Sequence, residues 1–167
     1  MSLKLLRNTA KVAKKMSKHI AVRDITHTTA GLIGEHIAAA AILQRGWGCA
    51  MAQSDGMDLV AWNKQTGQKI LVQVKSCQMS RSARANSTQF QLGMGGVKDK
   101  SGVKRKRLPT KSDYDLLALV SSEHRACVFM AVSDVKQLKI NKPASFFENP
   151  HIEEDSFHKA IERICNG

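Results

Sequence analysis

Asp58, Gln73 and Lys75 set a carboxylate, a carboxamide and an ammonium into two short apolar segments, and Glu35 adds a second carboxylate upstream. Carboxylate and amide oxygens are hard ligands of the kind Mg²⁺ takes. A bound Mg²⁺ neutralises phosphate charge and lowers the pKa of its water, which supplies hydroxide near neutral pH. A neighbouring lysine can position that water or stabilise developing negative charge. Together these types match the needs of phosphodiester hydrolysis, provided the fold gathers them.

The gathering depends on a hairpin. Met57–Trp62 and Lys69–Ser76 read as strands, rich in Val, Ile, Leu and Trp. Lys64–Gly67 fits a four-residue loop with glycine near its end, where a positive φ is often needed. If Asn63 pairs with Gln68, Asp58 falls opposite Gln73. Lys75, two residues on, shares that face. Ile70, Val72 and Val74 then cover the opposite face as core. A one-residue slip would undo the arrangement. The plainer alternatives are a cross-strand Asp58–Lys75 salt bridge, worth little alone, and a buried Gln73 amide bonded to backbone.

Glu35 belongs to a helix predicted over Gly31–Arg45 and ended by Gly46. Leu32, Glu35, Ala39 and Ile42 follow helical spacing, and Ala38–Ala41 gives a smooth surface for close approach to a sheet. A carboxylate in such a stripe is costly unless paired or metal-bound. Alternatively, Glu35 sits hydrated in the first turn, favoured by the helix dipole. His36 alone carries no functional signal.

The chain has 167 residues, which predicts one domain with a real core. Lys and Arg outnumber Asp and Glu by 26 to 14, giving a formal charge of +12 and favouring a polyanionic partner. Residues 2–20 read as a basic amphipathic helix, either a solvated surface helix or an arm against nucleic acid. Residues 93–111 form a basic, glycine-rich loop. Lys104, Arg105, Lys106, Arg107 and Lys111 there, with Arg81 and Arg84 upstream, are candidate phosphate contacts. The four cysteines, Cys49, Cys77, Cys127 and Cys165, lie far apart without a CxxC pair, so reduced thiols in the cytoplasm are expected. No apolar run suits a membrane span or secretory signal.

Elsewhere, Thr26–Ala30 reads as a polar connector and Gly46–Gln53 as a short strand or extended segment. Gln89–Leu92 reads as a short strand. Asp113–Val120 and Cys127–Val132 read as strands linked by Ser121–Ala126, and Pro143 should end any element there. A terminal helix is predicted over Asp155–Cys165, capped by Asp155 or Ser156, with Phe157, Ile161 and Ile164 buried. Glu148, Glu153, Glu154 and Asp155 read as a solvated acidic face. The order predicts an α/β architecture with a central mixed β-sheet flanked by helices.

Gly34-Glu35, Gly46-Trp47, Asp58-Leu-Val and Gln73-Val-Lys75, spanning about Gly31–Ser76, resemble the PD-(D/E)XK nuclease superfamily with its restriction-endonuclease-like core. Within it the pattern is most similar to intron-type homing endonucleases, which carry Gln-x-Lys. Archaeal Holliday-junction resolvases look similar in the helix-Glu, Gly-Trp and Asp-Leu-Val portions. The resemblance implies a Mg²⁺-dependent DNA endonuclease, with Mn²⁺ able to substitute. It would act on double-stranded or branched DNA as a homodimer or homotetramer, in a bacterial, phage or organellar setting. It also implies that Asp58, Gln73 and the Val74 carbonyl bind metal, that Glu35 binds or orients a second metal or water, and that Lys75 acts on the nucleophile. Two departures stand out. Met57 occupies the position of the motif proline, and Gln73 is neutral, which leaves the site one negative charge short. A junction resolvase and a catalytically inactive DNA-binding protein are the alternatives.

Overall fold

A computed structural model describes residues 27–54, 57–77, 87–94 and 106–166. The basic helix expected over 2–20, Arg81, Arg84, Lys104, Arg105 and most of the 93–111 loop lie outside the described residues. The described elements are α1 (His27–Gln44), β1 (Gly48–Ser54), β2 (Met57–Trp62), β3 (Lys69–Cys77), β4 (Ser87–Gln91), β5 (Leu116–Ser121), β6 (Ala126–Ala131), β7 (Lys139–Pro143), α2 (Ala144–Phe147) and α3 (Ile152–Cys165). A single 3₁₀ turn, Val132–Asp134, follows β6.

Five strands form one mixed sheet in the order β1-β2-β3-β5-β6. All neighbours are antiparallel except β3 and β5, which run parallel. The central β3 is therefore held on both sides. At its start, Asp115 locks β5 to it in both directions: Asp115 N–H donates to the Leu71 carbonyl at 2.9 Å, and Asp115 Oδ2 accepts from Leu71 N–H at 2.8 Å.

Each sheet face carries its own core. Ala38, Ala41 and Ile42 of α1 and Phe157 and Ala160 of α3 pack with Leu59, Ile70, Val72, Val74, Leu116, Ala118 and Phe129 on one face. Trp47 joins this layer edge-on to Phe157, with ring centroids 5.7 Å apart. On the other face Leu117, Leu119 and Val128 pack with Phe90, Leu92, Tyr114 and Phe147. The second layer includes a two-stranded β4–β7 sheet in which Phe90 pairs with Ile140. The predicted strand at Gln89–Leu92 thus exists, whereas β7, with little alternating apolar signal, goes unseen in the sequence.

Several expectations are corrected. Helix α1 is described from His27 on, so His27–Ala30 is helical rather than a connector. The threonines there argue against helix by propensity, but a tertiary contact outweighs them: Ser76 Oγ donates to the Ala30 carbonyl at 3.0 Å. Leu32 is 49% exposed, so the buried stripe runs through Gly34, Ala38, Ala41 and Ile42 rather than from Leu32. Helix α3 starts at Ile152, with His151 at its N-cap and no side-chain cap. Ser156 lies within it, accepting from Phe129 N–H at 3.0 Å and donating to the Glu153 carbonyl at 3.2 Å. Glu153 is not part of a solvated face. It accepts from Cys127 N–H at 2.7 Å and meets Arg45 at 3.5 Å, so it seals the outer edge of β6 against α3. Pro143 does end β7, and it is followed at once by α2. None of the four cysteines forms a disulfide among the described residues.

Candidate active site

The hairpin sets the register. Asn63 N–H donates to the Gln68 carbonyl at 2.9 Å, and Gly67 N–H returns to the Asn63 carbonyl at 2.8 Å. Asn63 Oδ1 accepts from Gln65 and Thr66 N–H at 2.8 and 3.1 Å, an Asx-type turn that fixes the loop. Gly67 has φ +73°, a conformation that costs a Cβ-bearing residue energy. The ladder then pairs Trp62 with Lys69 through Leu59 with Val72. One step further, the same register sets Asp58 opposite Gln73.

At that step side chains take over from the backbone ladder. Asp58 Oδ2 accepts from Val74 N–H at 2.6 Å, a position that the antiparallel alternation would otherwise assign to a backbone carbonyl of β2. The same oxygen accepts from Gln73 Nε2. Gln73 Nε2 also reaches the Val74 carbonyl at 3.3 Å. The Asp58 carboxylate and the Val74 carbonyl thus face one shared point, filled by the amide nitrogen of Gln73. Gln73 is only 5% exposed. Lys75, half-buried, occupies the next position on the same face of β3, beside Leu119 of β5. Among the described residues Lys75 has no ion pair within 4.0 Å, so the simple Asp58–Lys75 salt bridge is absent.

Glu35 approaches from α1, which packs on the opposite face of the sheet. Gly34 makes this close: a Cβ there would lie 2.5 Å from Ser76 Cβ, so only glycine lets α1 settle against the end of β3. Glu35 lies beyond the first turn of α1, and the helix-dipole explanation for it fails. Partial burial raises its carboxyl above the ordinary carboxylate value. The negative charge of Asp58 raises it further, and His36 acts weakly in the other direction. The two carboxyls are therefore near enough to repel, though no hydrogen bond joins them among the described residues. The structure gathers Asp58, Gln73 and Val74 directly, with Lys75 beside them and Glu35 coupled through charge.

The proposed phosphate contacts are distributed unevenly. Arg107 is committed to Asp113 by two hydrogen bonds at 2.6 and 2.5 Å. That pair, with the Thr110 N–H, holds the Asp113 carboxyl well below the usual carboxylate range. Its charge is thus offset locally, whereas Lys111 is exposed. Lys106 is also exposed, and it packs over Gly93: a Cβ at Gly93 would lie 2.7 Å from Lys106 Cβ.

The donor set fits a hard cation. Two oxygens already converge on one point, and the Gln73 carboxamide carries a third in its Oε1. Among the described residues no group of three or more His, Cys, Asp or Glu side chains is placed to hold a metal. A cation at Asp58 would therefore lean on neutral oxygens as much as on carboxylates. A cleft of about 810 Å³ between β6 and α3 is lined by none of Glu35, Asp58, Gln73 or Lys75.

Ser76 and the backbone N–H of Val74 are the positioning groups that sequence reasoning missed. The run of small residues Gly34, Ala38 and Ala41 at helical spacing carries the signal for the first, because it marks the face that meets β3.

No protein-family model and no curated protein matches this sequence. Among solved structures, one described as a bacterial homing endonuclease, I-Ssp6803I, shares the fold with a TM-score of 0.60 at 18% identity. The match covers 83% of this chain and 95% of that one. The mixed sheet with flanking helices is thus a fold shared with a nuclease.

Proposed function

We propose that this chain is a metal-dependent DNA endonuclease of the PD-(D/E)XK type, hydrolysing phosphodiester bonds at the split between β2 and β3. One observation carries the reading: the Asp58 carboxylate and Val74 carbonyl converge on a single point, with Gln73 and Lys75 on the same face. The shared fold with a protein described as a homing endonuclease supports it, and so does the charge of +12.

Asp58, the Val74 carbonyl and the Gln73 Oε1 would hold Mg²⁺, with Glu35 as a further ligand or water-orienting group. When bound, Mg²⁺ supplies charge neutralisation on the phosphate and an acidified water. The chain's own residues do the rest. Val74 N–H fixes the rotamer of Asp58. Lys75 is held on β3 with its ammonium unpaired among the described residues, ready to orient the nucleophile or to meet negative charge on the phosphate. Glu35, with its raised pKa, can accept a proton from water more readily than an ordinary carboxylate. Cutting both strands of a duplex requires two such sites, so the active species is a homodimer or homotetramer.

A second reading has one observation in its favour. The Gln73 amide is already satisfied by protein acceptors, as it would be in a nuclease fold kept only for binding DNA. A cleavage assay with Mg²⁺ and with Mn²⁺ across plasmid, linear duplex, four-way junction and single-stranded DNA separates these. Metal-dependent product on duplex is expected. Preference for the junction would reassign the chain as a resolvase. Salt-sensitive binding without any product would make it a DNA-binding protein.

A further inference from the structure

The point shared by Asp58 and Val74 is occupied by part of the protein itself. Gln73 Nε2 donates to both oxygens, and its two hydrogens are the positive ends that these acceptors face. A carboxamide has an oxygen of nearly the same size as its nitrogen, and turning the group half a revolution about its last bond exchanges them without changing its volume. Gln73 is buried, and the turn keeps the volume that its surroundings enclose unchanged. Turned and drawn back from the point that Nε2 fills, Oε1 would stand with Asp58 Oδ2 and the Val74 carbonyl as three oxygens around one point. That is unfavourable with nothing between them, and favourable around a cation.

We propose that Gln73 is a built-in cation surrogate: its amide nitrogen plugs the metal position in the metal-free protein, and its amide oxygen becomes a ligand when Mg²⁺ enters. The inference rests on the proposed nuclease reading of this site. It assigns Gln73 a role that a carboxylate cannot fill. An aspartate or glutamate there would repel Asp58 whenever the metal left. The carboxamide keeps the empty site satisfied, and each binding event must displace two hydrogen bonds. Weak, readily reversible metal binding follows. The metal-free hairpin keeps its register because Asp58 never lacks donors.

Two measurements on the full chain without DNA test this. First, the Gln73 side-chain amide resonances, identified by their loss in Gln73→Met, are followed by NMR as Mg²⁺ is added. They should be protected from exchange in EDTA, then shift and lose protection as Mg²⁺ saturates. Second, calorimetry compares Mg²⁺ affinity in wild type and Gln73→Glu. The variant should bind roughly tenfold tighter or more, and its Tm in EDTA should fall below wild type and recover on adding Mg²⁺. Saturable Mg²⁺ binding with Gln73 resonances unmoved would overturn the surrogate while leaving the nuclease reading intact. Equal affinity in Gln73→Glu would do the same. A moving Gln73 amide with no cleavage of any DNA would preserve the surrogate and sink the nuclease instead. No Mg²⁺ binding at all would end both.

Discussion

At the scale of single residues, the candidate site is a contest for oxygen atoms. Asp58 Oδ2 serves Val74 N–H and Gln73 Nε2 at once, and Lys75 stands by without an ion-pair partner among the described residues. Lys75→Ala should lower the cleavage rate by on the order of 10²–10³, and leave DNA affinity within a few-fold in a gel-shift or anisotropy titration. Undiminished cleavage would remove Lys75 from the chemistry. Glu35 makes a pH prediction. Its folded pKa lies above the ordinary 4.5, because the fold disfavours its charged form. Its contribution to stability is therefore present below pH 4.5 and is lost as pH rises through the raised value. In EDTA, wild-type Tm should fall with rising pH relative to Glu35→Gln, whose curve lacks this component. Parallel curves would show that Glu35 is not coupled to its surroundings. Asp58, Gln73 and Lys75 were legible because residue alternation along a strand converts spacing into facing. The donation of Val74 N–H to Asp58 was not, since it exists only because the backbone pairing stops at Leu59 and Val72.

At the scale of elements, what matters is how close α1 comes to β3. The absence of a side chain at Gly34 sets that distance, and Ser76 ties the first turns of the helix to the strand. Gly34→Ala should cost about 1–3 kcal/mol by overpacking, read as a lowered midpoint in denaturant. By pushing α1 outward it should also bring Glu35 closer to ordinary carboxylate behaviour. Glu153→Ala is the control at the far edge of the sheet. It removes the acceptor of Cys127 N–H and of Arg45 Nη2 and should cost a similar ~1–3 kcal/mol, without altering metal affinity. The helix core and the β5–β6 pair could be read from apolar patterning. The helical state of His27–Ala30, the role of Glu153 and the β4–β7 pairing could not. Each depends on contacts between residues 26 or more positions apart, which no local window contains.

At the scale of the molecule, the net charge favours a polyanionic partner. The chain carries +12, while α1, which bears Glu35, contains no lysine or arginine. Asp113 already neutralises Arg107, whereas Lys111 is exposed, so these two cations are unequal as phosphate contacts. Duplex affinity should fall steeply with salt, by on the order of 10³-fold between roughly 50 and 200 mM if six phosphates are contacted. Lys111→Ala should flatten the slope more than Arg107→Ala does. Equal effects would mean that the Arg107–Asp113 pair opens on DNA. The architecture itself was legible from element order. The two-layer division of the core was not, because β5 is buried on both faces and its continuous apolar run does not say which residues face which layer.

The loop that closes the β2–β3 hairpin bears on time as well as on position. Its contacts are separated by only a few residues, whereas β3 must wait for β5, some forty residues away in the chain. Hairpins close in about 1–10 μs, while distant parallel pairings come later. Asp58 and Gln73 therefore meet while most of the protein is still unfolded, and the remaining strands assemble on a register already chosen. Replacing Gly67 should then slow refolding more than it speeds unfolding, the signature of a residue whose work is done early.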